Sequence, residues 1–210
     1  MNQTWLRMRV IWGVAAALCG CVLYEPYISD LSLASIEVVP ARVLIDGKLR
    51  DDGPQMKIIF SSEVDLVDIA QGEHFFPFPV RRKTALCKNR ALDRREEYSL
   101  DGEVFWNGGS VNGSNTYYAD EDYSAEEFQK LYPEFRNQKL KYYVVFSPVR
   151  HMRGAPGPAK LVFDLERQPK DLCLVVYGGD MLGATYQSNT VVVPKAAIAE
   201  AFREAAARGR

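Results

Sequence analysis

From Tyr142 to Val193 the chain is a succession of short runs in which apolar residues fall on every second position, and this spacing limits the fold more than any other feature. Tyr142, Val144 and Phe146 alternate with Tyr143, Val145 and Ser147. Leu161, Phe163 and Leu165 alternate with Val162, Asp164 and Glu166. A period of two puts successive side chains on opposite faces of an extended strand. Leu172–Tyr177 is apolar at every position, which suits a strand covered on both sides. Gly- and Pro-containing segments punctuate these runs: residues 153–158, Gln168-Pro169-Lys170-Asp171, and Gly178 to Gly183. Thr190–Val193 is a further β-branched run.

The N-terminal half follows the same rule less regularly. Ile36–Val39 and Arg42–Asp46 flank Pro40, which suits a sheet edge. Asp46-Gly47 and Asp52-Gly53-Pro54 read as turns. Met56, Ile58 and Phe60 alternate with Lys57, Ile59 and Ser61, a half-buried strand that Val64–Ile69 continues after a bend. Thr84–Cys87 is short and apolar, and Tyr98–Trp106 reads as a strand with Leu100, Val104 and Trp106 on one side. Two segments read as helical. Ser124-Ala125-Glu126-Glu127 is a capping box opening a short helix that Pro133 ends. Pro194 suits a first helical position, and the following residues place Ile198, Phe202 and Ala205 on one stripe. Many short strands and few helices predict a mainly β fold, an antiparallel β-sandwich (immunoglobulin-like or jelly-roll-like) over residues 36–210, with one short inserted helix and a C-terminal helix over 194–208.

The first residues form a different kind of segment. Arg7 and Arg9 precede an apolar run from Val10 that ends in Leu18-Cys19-Gly20-Cys21, and Tyr24-Glu25-Pro26 stops it. Basic, apolar and small residues in that order are the layout of a secretory signal peptide, and the run is shorter than the roughly 20 residues a spanning helix needs. The Leu-x-Gly-Cys ending resembles the lipobox of bacterial lipoproteins, although Cys19 stands where that family usually carries Ala, Ser or Thr. The resemblance implies cleavage between Gly20 and Cys21 and a diacylglycerol thioether on Cys21. Residues 1–20 are then a removed signal, and 21–35 a lipid-anchored tether. Val22 is not Asp, which by the same resemblance implies the outer membrane, facing the periplasm; a soluble periplasmic protein is the alternative.

Without Arg7 and Arg9 the 26 basic residues become 24 against 27 acidic ones, a net charge of about −3. That balance offers nucleic acid no basic field. Outside the leader only Cys87 and Cys173 remain. An oxidising compartment favours a disulfide between them, while two buried free thiols would also fit, since Cys173 lies in an apolar run.

Patterns that carry catalysis are missing. His74 and His151 stand in no metal-ligand spacing, and the sequence has no Gly-x-Ser-x-Gly elbow. The glycines at 178–183 precede strand-like sequence rather than a helix, so a hairpin is the better reading than a phosphate cradle. Asp120-Glu121-Asp122 lacks cation-loop spacing. Arg81-Arg82-Lys83 and Arg94-Arg95 read as solvated surface. No catalytic residue, metal or cofactor is assigned. The expectation is an envelope lipoprotein held to the membrane through Cys21, acting as a structural or protein-binding module with an envelope protein partner. The alternative is a glycan or small-molecule binder using Trp106, Tyr117, Tyr118 and Tyr123 in the aromatic, Asn-rich stretch 105–123.

Overall fold

The computed structural model describes residues 28–40, 43–45, 48–50, 53–71, 79–92, 100–106, 108–114, 116–118, 140–152, 160–179 and 185–208. The protein is mainly β and its strand pairings are antiparallel. In chain order the strands are β1 (Ser32–Val39), β2 (Val43–Ile45), β3 (Lys48–Arg50), β4 (Gln55–Ser62), β5 (Arg81–Lys88), β6 (Ala91–Leu92), β7 (Leu100–Glu103) and β8 (Phe105–Trp106). They continue with β9 (Gly109–Ser110), β10 (Thr116–Tyr118), β11 (Leu140–Phe146), β12 (Val149–Met152), β13 (Lys160–Asp164), β14 (Leu172–Gly179), β15 (Thr185–Gln187) and β16 (Val191–Val193). Helix α1 (Leu66–Gln71) follows β4, and α2 (Lys195–Arg208) closes the order.

One sheet runs β1-β4-β11-β8-β9-β10-β2-β3; the other runs β15-β14-β5-β6, with β16 also on β14 and β7 also on β5. The hairpin β12–β13 pairs separately. The alternation read from sequence decides what faces inward. Met56, Ile58 and Phe60 of β4, with Tyr142, Val144 and Phe146 of β11, share one buried cluster with Leu172, Leu174 and Val176 of β14. Helix α2 lies against β1 and adds Ile198 to that cluster. At the other end of the order, the chain changes sheets at Val104, between β7 in the second sheet and β8 in the first. Val104 is fully buried there, and its carbonyl accepts the Val111 N–H at 3.0 Å.

Three expectations change. Strand β4 is buried on both faces, not half-buried. Its second face joins Ile59 to Tyr143, Val145, Phe105 and Val39 in a separate cluster. Phe105 stacks on Tyr143 with centroids 5.5 Å apart, and the Lys57 Nζ lies 4.2 Å above the Tyr143 ring. Val64–Ile69 does not continue the strand. Asp65 accepts the N–H groups of Val67 and Asp68 at 2.9 and 3.1 Å, a side-chain cap that starts α1 and buries Leu66, Val67, Ile69 and Ala70. Strand β1 begins at Ser32, inside the expected tether. The Asn189 amide holds both the N–H of Leu31 (3.0 Å) and its carbonyl (2.8 Å), and so fixes the approach to β1. The inserted helix expected after Ser124 lies outside the described residues. The C-terminal helix forms as expected.

Candidate functional site

Because β-strands alternate, the residues of the second sheet that do not face the core line up on its outer side. Register pairs Tyr177 with Arg81 and Gln187, and pairs Lys83 with Val175 and Asp101. A groove of about 500 Å³ opens over these rows, lined by Lys83, Asp101, Val175, Tyr177, Thr185 and Gln187. Val175 is almost fully buried beneath it. The Tyr177 phenol is held above its ordinary range, first by burial and then by the Asp101 carboxylate to which it is hydrogen-bonded. The neighbouring Glu103 carboxylate is already occupied, accepting from Ser110 Oγ (2.6 Å) and Asn112 Nδ2 (2.8 Å).

One end of the groove depends on a glycine. A Cβ at Gly178 would stand 2.2 Å from the Pro79 carbonyl oxygen and 2.6 Å from the Tyr186 ring and hydroxyl, so only glycine lets these groups meet. The Tyr186 hydroxyl donates to that same Pro79 oxygen at 3.4 Å, and burial pushes the phenol well above its ordinary range.

Arg82 does not belong to the solvated surface read for Arg81-Arg82-Lys83. Its neighbours point outward, and by the same alternation its own side chain points into the sandwich, 5% exposed. The guanidinium donates to the Leu100 carbonyl at 3.1 Å, to Thr84 Oγ1 at 3.4 Å and to the Val145 carbonyl at 3.2 Å, and lies over the Phe146 ring. Leu100 is in the second sheet and Val145 in the first, so one side chain ties both together. Gly102 sits opposite Arg82 in the register; a Cβ there would be 2.8 Å from the guanidinium. Desolvation dominates the electrostatics and lowers the Arg82 pKa to about 10, against a smaller opposing effect of Asp101.

Cys87 and Cys173 form a disulfide between β5 and β14, with Cα atoms 5.0 Å apart. Trp106 is only 3% exposed and belongs to the core cluster, so its ring is not a surface platform for a ligand. The sequence signal was ambiguous there, because an aromatic at the end of an alternating run serves a core and a binding loop equally well. Tyr117 and Tyr118 lie on β10, paired with β2. Gly20, Cys21, His74, Tyr123 and the acidic residues 120–122 lie outside the described residues. His151 is exposed on β12. The groove residues were passed over in the sequence because Lys83, Asp101, Tyr177 and Gln187 come from four separate strands and share no motif. Among the described residues, no three His, Cys, Asp or Glu side chains gather as a metal cage, and no helix is long and apolar enough to cross a membrane. Neither a family model, nor a curated protein, nor a solved structure matches the chain.

Proposed function

We propose that this chain is an exported lipoprotein of the bacterial envelope, anchored through Cys21 in the outer membrane and facing the periplasm, whose sandwich is a non-catalytic structural or protein-binding module. The observation that carries the reading is the Cys87–Cys173 bond. It takes up the cysteines left outside the leader, and such bonds persist in oxidising compartments. This agrees with a leader ending in Leu18-Cys19-Gly20-Cys21. The position of β1 adds a geometric consequence. Only seven peptide links separate Cys21 from Ile28, whose carbonyl accepts the Asn189 N–H, so the reach from lipid to body is at most about 25 Å. The module works close to the bilayer surface. Its groove brings together hydrogen-bonding side chains and, among the described residues, no His or Cys.

Radiolabelled palmitate tests the anchor. Wild type takes up label and sediments with outer membranes, Cys21→Ala does neither, and thiol alkylation without reductant leaves Cys87 and Cys173 unmodified. Equal labelling of both proteins, or a cytosolic protein with an intact leader and two free thiols, overturns the reading. Cross-linking of the acylated protein in intact envelopes identifies the partner.

A further inference from the structure

We infer that the outer face of the second sheet, over Tyr177 and Lys83, is a binding site for a neutral, hydroxyl-rich ligand of the oligosaccharide class. The inference goes beyond the anchoring reading and holds whether or not Cys21 carries lipid. Size comes first: about 500 Å³ falls within the roughly 300–1,000 Å³ of small-ligand sites.

Charge comes second. Among the described residues the groove is lined by one cation, Lys83, and one carboxylate, Asp101, whose formal charges cancel, while Arg81 lies beside Tyr177 on the paired strand. The kinds of hydrogen-bonding group decide further. Lys83 only donates and ionised Asp101 only accepts; Thr185 and Gln187 do both. Tyr177, bonded to Asp101, keeps an oxygen lone pair to accept with. A mixed set of donors and acceptors suits hydroxyl groups, each of which gives one hydrogen bond and takes others. Among the described residues the side chains of Lys83, Thr185 and Gln187 are not engaged by another group, so binding need not break an internal bond.

The floor is the last element. Leu92 and the Tyr177 ring supply apolar surface under this polar rim, above the buried Val175. Sugars present a C–H face and a hydroxyl edge, which is the same division of surface. Gly178 keeps one end of the groove at its present depth, because any side chain there would displace Tyr186.

The test uses the full-length protein in a detergent without a sugar headgroup. Saturation-transfer NMR and calorimetry are run with chitotriose, maltotriose and inorganic phosphate. At least one trisaccharide is expected to bind. The double variant Thr185→Ala/Gln187→Ala, at two exposed positions, should weaken that binding tenfold or more with unchanged thermal unfolding. Leu161→Ser, on the separate β12–β13 hairpin, should leave it within twofold. Binding of neither trisaccharide, undiminished affinity in the double variant, or tighter binding of phosphate than of either sugar overturns the proposal.

Discussion

The hydroxyl of Tyr142 lies 2.9 Å from the backbone nitrogen of Leu66 and accepts its hydrogen bond, while donating to Asp65 Oδ1 at 3.4 Å. Tyr142 is on a central strand and is fully buried; Leu66 is the first residue of α1, 76 positions earlier. A six-residue helix is too short to persist alone, and this contact supplies from the sheet one of the partners its first turn lacks.

Tyr142→Phe keeps the ring, which packs 6.0 Å from Phe60, and removes only the oxygen. The Leu66 N–H is then buried without a partner, and stability should fall by about 1–3 kcal/mol. Urea unfolding measures the loss, and hydrogen exchange should show it concentrated in residues 66–71.

Arg82 should resist its nominal equivalent. Arg82→Lys keeps a charge but puts one nitrogen where Nη1 bonds Leu100 and Nη2 bonds Val145, and so loses the fork that spans the two sheets. A loss of about 1–3 kcal/mol in urea unfolding is expected, and Arg82→Ala, which removes the tie between the sheets and leaves a void, should lose more.

Asn89 and Arg90 form the two-residue turn between Lys88 and Ala91, with φ of 52° and 61°. Both central residues of such a turn need the left-handed region, which Asn tolerates and Arg does not favour. Arg90→Gly should therefore raise stability by about 0.5–1 kcal/mol, a gain that calorimetric melting would register as a higher Tm.

Tyr186 gives the alkaline limit a direction. In the unfolded chain its phenol ionises near pH 10, whereas in the fold burial keeps the proton on at higher pH. Its contribution to stability is full below pH 10 and is lost as pH rises beyond it. Tyr186→Phe should flatten the fall in stability between pH 10 and 12 relative to wild type.

Removing the disulfide acts mainly on the unfolded chain. Replacing both Cys87 and Cys173 by Ala frees a loop of 86 residues and should lower stability by about 2–5 kcal/mol, with a matching shift in the denaturation midpoint.

Local sequence was sufficient for the parts of this protein that depend on neighbours along the chain. The period of two over Tyr142–Phe146, the wholly apolar Leu172–Val176 and the stripe through Ile198 each state their own secondary structure, because strand and helix geometry act within a few residues. Cys87 and Cys173, the cysteines beyond residue 21, limited the choice to one bond or two thiols. What covers each face was decided only in three dimensions. Arg82 is buried between two charged neighbours because Gly102 and a carbonyl of the other sheet receive it; Trp106 is buried because the chain changes sheets at Val104. Leu66–Gln71 became a helix because Asp65 and a distant hydroxyl capped it. The groove over Tyr177 exists only through the register of four strands. Periodicity tells a strand that it has two sides, but burial and hydrogen-bond partners come from segments far away in sequence, and only folding brings those together.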